Sequence, residues 1–324
     1  MIVKYFFIGL FVSITMVPKY LILGIKKIFN KKQKIESPTI PKNINFSSKI
    51  IFSLLILTYL SCVFIFVRWY TQGLKIKYLT EDIISSTEIV EKVEIIPPDD
   101  NTPDEPDDSD TDTDNNTNSG TYYPNDYWDY INVPYIDVDF SSLLAKNNET
   151  VAWIKVEGTK VNYPVVQTTN NDFYLSHDFQ KNYNKAGWIF SDYRNDFTNL
   201  KKNSIIYGHN MNNKTMFGSL PDAVLNSSWQ SNSNNHFIKV STPTANSVWK
   251  IFSVYTITPE VYYLKTVFSD EEFQEFINTL KNRSIYNFNT DVTINDKILT
   301  LSTCDNTGQK RVVVHAKLVK SDEK

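Results

Sequence analysis

Cys304 has the most chemistry to offer in this chain. The sequence holds only two Cys, and the other, Cys62, lies inside an uncharged apolar run from Ile50 to Val67. The two cannot pair within one chain if that run crosses a membrane, which leaves Cys304 a lone thiol. Its setting is KILTLSTCDNTG, an apolar strand that ends in Ser-Thr-Cys and enters a polar turn. A thiol at a strand end reaches a cleft more readily than one in mid-strand. The thiolate is the nucleophile, and it needs a base or an electropositive neighbour to form near neutral pH.

Four His are available: His177, His209, His236 and His315. His209 stands in NSIIYGHNMNN, just past a strand that breaks at Gly208. A ring there can face a cleft. His177 sits in a helix-like stretch, LSHDF, and suits capping or packing. His236 sits in a Ser/Asn-rich loop and is expected to be solvated. His315 lies on the last strand in phase with Arg311 by the two-residue alternation. On the residues alone His209 and His315 both stand as the base. Arg311 opens that last strand, RVVVHAKLV. A hairpin joined by DNTGQK would set Arg311 beside Cys304 across the pair. A guanidinium there can hold an oxyanion or orient a carbonyl, or it can be a surface Arg in an ion pair.

These side chains need a scaffold, and the sequence from Tyr122 to Lys320 supplies mostly strands. Apolar or alternating runs occur at Val151–Val156, Val161–Val166, Gly187–Phe190, Ser204–Tyr207, Phe237–Val240, Val248–Ile257, Lys297–Thr303 and Arg311–Val319. Val, Ile, Tyr, Phe and Thr dominate them. Eight strands with turn-rich connections predict a closed or nearly closed β-barrel. Helical pieces are expected at Asp139–Lys146 and at Asp270–Lys281, the latter with Ser269 as N-cap. Phe273, Phe276, Ile277 and Leu280 share one face of it. The fold class is α+β, mainly β, because strands and helices do not alternate regularly.

The N-terminal part reads differently. Ile50–Val67 is long enough for a short membrane span, and Arg68, Trp69 and Tyr70 after it suit an interface. An earlier apolar stretch, Tyr5–Ile25, is broken by Pro18 and Lys19. Lys26, Lys27, Lys31, Lys32, Lys34, Lys42 and Lys49 lie between the two, opposed only by Glu36. That loop is expected to be cytoplasmic, which puts the chain after Val67 outside. Gln72–Ile96 has a helical pattern and reads as a stalk. Pro97–Gly120 carries nine acidic residues, four Pro and no apolar residue. Such a stretch cannot bury enough surface to fold and reads as a disordered spacer. The expected order is therefore an apolar segment and basic loop (1–49), a transmembrane helix (50–68), a stalk (69–96), the acidic spacer (97–120), a catalytic domain (121–320) and a tail (321–324).

Composition excludes several classes. A net charge of -3 gives no support to a nucleic-acid partner. Two Cys rule out a disulfide framework and a multi-Cys zinc site. Neither G-x-G-x-x-G nor G-x-x-x-x-G-K-[ST] occurs among the 9 Gly.

With these residues in view, the sequence resembles the sortases, the Cys transpeptidases of Gram-positive surfaces. The family's T-L-x-T-C motif stands as Thr300-Leu301-Ser302-Thr303-Cys304, an Arg follows on the next strand as Arg311, and the His motif stands as Tyr207-Gly208-His209-Asn210-Met211. The resemblance spans about Tyr135 to Val319. Val151-Ala152-Trp153-Ile154, Tyr163-Pro164-Val165-Val166-Gln167, Asn171-Asp172-Phe173-Tyr174-Leu175, His177-Asp178-Phe179 and Asn184-Lys185-Ala186-Gly187 are similar to class B in particular.

The resemblance implies an eight-stranded sortase barrel behind an N-terminal membrane anchor. It implies that Cys304 attacks a Thr carbonyl in a C-terminal sorting signal and forms a thioacyl intermediate, that His209 serves as acid and base, and that Arg311 stabilises the oxyanion. It supplies His209 over His315, and it makes Asn171, Leu175, Tyr207, Ser302 and Asp305 substrate-groove candidates. The implied partners are surface proteins bearing the signal and an amine of the peptidoglycan cross-bridge or its lipid-linked precursor. A pilin Lys as acceptor is the alternative, and an inactive signal-binding module is a further one. No cofactor is expected, and no metal, since the exported part has no dense carboxylate loop to hold calcium.

Overall fold

In the computed structural model, which describes residues 46–93, 130–305 and 307–324, the eight apolar runs become the staves of one closed barrel. In chain order the strands are β1 (Ile89–Lys92), β2 (Tyr135–Val138), β3 (Thr150–Val156), β4 (Asn162–Val166), β5 (Phe190–Ser191), β6 (Asn203–Tyr207), β7 (Phe237–Ser241), β8 (Ala245–Ile257), β9 (Ile298–Cys304) and β10 (Arg311–Glu323). The barrel closes in the order β10-β8-β7-β3-β4-β5-β6-β9, while β1 and β2 form a separate two-stranded sheet. The pairs β4/β5 and β6/β9 are parallel and the rest antiparallel. β10 runs to Glu323, past the expected limit at Lys320. Lys324 is held as well, with Nζ 2.8 Å from Asp137.

Strand alternation sorts β9 and β10 into two buried faces. Leu299, Leu301, Val312, Val314 and Ala316 join the main core inside the barrel. Ile298 and Val313 join a second cluster outside it, under a helix. The short helices α2 (Ser141–Lys146), α3 (Leu220–Val224) and α4 (Ser227–Gln230) decorate the connections, and α5 (Asp270–Arg283) covers this outer face. α5 starts where the sequence expects. Ser269 Oγ accepts from the Glu272 amide and the Glu272 side chain accepts from the Ser269 amide, a complete capping box. Acidic residues fill its first turn and Lys281 and Arg283 its last, in the sense the helix dipole favours. Phe273, Phe276, Ile277 and Leu280 are buried against β8, β9 and β10. Each contributes about 1.5–3 kcal/mol of transfer free energy.

The chain divides into two units, Met1–Phe64 and Ile65–Lys324. A continuous helix, α1 (Phe46–Ser86), begins in the first and ends in the second. In the first unit, Leu54, Leu55, Leu57 and Phe64 are exposed. Among the described residues α1 is the one helix long and apolar enough to cross a membrane. In the second unit, Ile76, Leu79 and Ile83 bury themselves in the main core. The expected stalk helix to Ile96 stops at Ser86, and Thr87 turns its hydroxyl back to the Ile83 carbonyl at 2.7 Å. Ile89–Lys92 then pairs with Tyr135–Val138, and this pairing overrides the helical pattern.

Lys92 lies opposite Tyr135, so the chain leaves the small sheet and returns to it on the neighbouring strand. Pro97–Gly120 lies outside the described residues. The first apolar stretch and the basic loop also lie outside the described residues.

Candidate active site

Three neighbouring strands, β6, β9 and β10, meet at one rim of the barrel. The β9/β10 register sets Ser302 opposite Val313, Thr303 opposite Val312 and Cys304 opposite Arg311. Directly opposed side chains share a face, with Cβ atoms about 4.5–5.5 Å apart. The hairpin turn holds this register. The Asp305 amide donates to the Lys310 carbonyl at 3.0 Å, and the Gly308 amide to the Asp305 carbonyl at 3.0 Å. Gly308 sits at φ +74, where a side chain would be strained. The Asp305 carboxylate accepts from the Thr307 hydroxyl and from the Gln309 and Lys310 amides. Desolvation works to raise its pKa, but the Lys310 amide and the other donors outweigh it and hold the group low. Asp305, expected in the groove, thus spends its carboxylate on the turn.

β6 runs parallel to β9 and sets Tyr207 opposite Ser302. The Gly208 amide then donates to the Ser302 carbonyl at 3.3 Å. His209 lies as far past Tyr207 as Cys304 lies past Ser302, so both leave adjacent strands at the same level. Gly208 has to be glycine. A Cβ there would stand 2.4 Å from Ile189 Cδ1 and 2.8 Å from the Phe217 ring. The His209 carbonyl accepts from the Phe217 amide at 3.0 Å, which pins the backbone. Its ring Nε2 donates to the Leu175 carbonyl at 2.8 Å, so in the neutral ring Nδ1 is the acceptor. Cys304, His209 and Arg311 are all half-buried.

A turn of 3-10 helix, Tyr262–Leu264, lies against this face. The Tyr263 hydroxyl and Ser302 Oγ are 3.2 Å apart. Burial pushes the Tyr263 phenol up, while the Arg311 charge acts against it. Tyr263 is thus within electrostatic reach of the hairpin.

Asn171 and Tyr207 meet through a residue that the sequence reading missed. Asp192 is fully buried. It accepts from Asn171 Nδ2 at 2.9 Å and the Tyr207 hydroxyl at 2.9 Å, and takes Arg194 through Nε and Nη2, both at 2.8 Å. Burial works to raise its pKa, but Arg194 first, then Tyr207 and Asn171, hold it below the usual carboxylate range. Arg194 Nη2 also donates to the Leu264 carbonyl at 3.0 Å, which ties the hub to the Tyr263 turn. The sequence signal was the Asp-x-Arg after the short strand β5.

The other histidines leave the contest for physical reasons. His315 is fully buried under α5, and burial alone pushes its pKa down to about 3. It cannot reach a substrate. His236, expected to be solvated, is only 6% exposed and packs between Trp229 and Phe288. His177 stacks on Phe173 with ring centroids 4.0 Å apart, a packing role.

Comparisons with known proteins give the family. The family model for the sortase domain matches residues 154–319. The chain belongs to the sortase family, class B. Sortase B of Staphylococcus aureus is 37% identical over 185 residues, covering 56% of this chain and 75% of that protein. Sortase B of Listeria monocytogenes is 36% identical over 184 residues, covering 53% and 71%. The crystal structure of Bacillus anthracis sortase B in complex with AAEK1 superposes with a TM-score of 0.52 at 40% identity, covering 56% of this chain and 84% of that one. The closed eight-stranded barrel is therefore a sortase barrel, and the chain is a cysteine transpeptidase.

Proposed function

We propose that this sortase is held at the membrane by α1 and that Cys304, His209 and Arg311 carry its reaction. The substrate is a surface protein with a C-terminal sorting signal. The Cys304 thiolate attacks the carbonyl carbon of the signal's Thr. Arg311, opposite it, stabilises the negative charge on the carbonyl oxygen. The C–N bond then breaks, His209 gives a proton to the leaving amine, and a thioester to Cys304 remains. An amine of the peptidoglycan cross-bridge or its lipid-linked precursor attacks the thioester. His209 takes its proton, an amide bond forms, and the C–S bond breaks to release the Cys304 thiolate. Asn171, Leu175, Tyr207 and Ser302 line the approach, with Asp305 at its edge.

One observation carries this reading: the β9/β10 register sets Arg311 opposite Cys304, and the β6/β9 register sets Tyr207, two residues before His209, opposite Ser302, two residues before Cys304. The apolar, exposed stretch of α1 supports the anchor. The basic residues before it support a catalytic domain outside the membrane.

The test is cleavage of fluorogenic sorting peptides of the N-P-Q-T-N, S-P-K-T-G and L-P-K-T-G types by the full chain in detergent, with and without added triglycine. Wild type is expected to cleave one of them and to yield the triglycine amide. Cleavage without any amide product would point to a hydrolase instead.

A further inference from the structure

A chain of buried hydrogen bonds begins and ends on the Tyr262–Leu264 turn. The Asn203 side-chain amide donates to two backbone carbonyls of that segment, Tyr263 at 3.1 Å and Lys265 at 2.8 Å. Two acceptors at Nδ2 fix the orientation of the amide, so Oδ1 must accept. It does so from the Thr300 hydroxyl at 2.6 Å. Thr300 Oγ1, having given its only proton, accepts from His315 Nδ1 at 2.9 Å. His315 Nε2 is then the acceptor, and the Tyr255 hydroxyl donates to it at 2.9 Å. The Tyr255 oxygen in turn takes the Tyr262 hydroxyl, 2.6 Å away. The direction of every proton follows from the first amide.

The members come from four barrel strands: Asn203 from β6, Thr300 from β9, His315 from β10 and Tyr255 from β8. Asn203, Thr300 and His315 are fully buried and Tyr255 nearly so. Around them the outer face is covered by Phe252, Phe276 and other apolar groups. Apolar side chains at these positions would cover the face without the desolvation cost of polar ones. What the polar set adds is a fixed place for one turn, gripped by its side chain at Tyr262 and by its backbone at Tyr263 and Lys265. That turn lays the Tyr263 hydroxyl on Ser302, two residues before Cys304.

We propose that Asn203, Thr300 and His315 are positioning residues for substrate binding, fixing the Tyr262–Leu264 turn as a rigid wall beside Cys304. They touch no substrate and act through Tyr263. This rests on the peptide-cleaving function proposed above. His315 stays neutral at working pH because burial holds its pKa near 3, so the relay keeps its direction.

Thr300→Val keeps the shape and removes the hydroxyl that links Asn203 to His315. The full chain carrying it is expected to show a KM for the cleaved sorting peptide raised by about tenfold, from one lost buried link. Its kcat should stay within about threefold. Alkylation of Cys304 by iodoacetamide should run at the wild-type rate, and Thr300→Ser should restore KM. Amide hydrogen exchange over residues 262–268 should speed up while the β9 amides keep their protection. If Thr300→Val does not fold, Tyr255→Phe cuts the relay between His315 and Tyr262 and takes the same measurements. Unchanged exchange over 262–268 would overturn the proposal, as would kcat and alkylation falling together with KM. If wild type cleaves no sorting peptide, the proposed function fails, while the exchange experiment still decides whether the relay holds the turn.

Discussion

Arg311 lies directly opposite Cys304 across the β9/β10 pair. The guanidinium is therefore placed by strand register, not by a loop that has to close. Arg311→Ala should lower kcat/KM by about 10²–10³, the usual loss for one oxyanion donor. Arg311→Lys should recover only part of it, because an ammonium lacks the planar fork. Steady-state cleavage of the sorting peptide measures both, and an unchanged melting temperature shows that the strand pair is intact.

Asp192 gathers Asn171, Tyr207 and Arg194 on one buried carboxylate. Asp192→Asn leaves the Arg194 charge without its partner and places an amide where only acceptors fit. A stability loss of about 1–3 kcal/mol is expected in urea unfolding. The sorting-peptide KM should rise too, since Asn171 and Tyr207 lose their common support. An Asn variant as stable as wild type would show that the hub holds nothing.

Acid should weaken the fold before it touches the carboxylates. His315 takes a proton near pH 3 in the fold but near its ordinary value of 6.5 when unfolded. Between these values the unfolded chain binds more protons, so stability falls as pH drops below 6.5. The slope reaches up to about 1.4 kcal/mol per pH unit for this one group. His236 is pushed down by burial as well and adds to the same window. Asp137 and Asp192, both held low, add their losses only below about pH 4. Urea midpoints between pH 7 and 5 should show the decline, and His315→Gln should flatten it.

Gly208 connects β6 to His209 in a space with no room for a side chain. Gly208→Ala should cost about 1–3 kcal/mol through overpacking against Ile189 and Phe217. It should also cut kcat, because the His209 backbone moves with it. A thermal melt and a cleavage assay of the same sample measure the two effects.

The alternation in Lys297–Thr303, and Ser269 as N-cap before the apolar face of Phe273, Phe276, Ile277 and Leu280, made β9 and α5 legible from sequence, because both signals are local. The resemblance to the sortase motifs is what singled out Cys304, His209 and Arg311 as candidates. The limits were tertiary. Arg311 and His315 share a strand face, yet α5 covers His315 and leaves Arg311 half-buried; no spacing rule encodes where a helix ends over a sheet. His236 sits in a polar run, yet Trp229 and Phe288 bury it. β1 is four residues long, and its partner β2 lies beyond the acidic stretch, so no periodicity announces the pair. Asp192 acts on residues from two other segments, and only the fold assembles them.

The most direct test is the intermediate itself. The full chain in detergent is mixed with the cleaved sorting peptide without added amine, quenched in acid and digested for mass spectrometry. The account predicts the N-terminal peptide fragment bound through its Thr carbonyl to Cys304, released by triglycine as an amide, and absent from Cys304→Ala. Undiminished cleavage by Cys304→Ala, or an acyl group on any other residue, would contradict it.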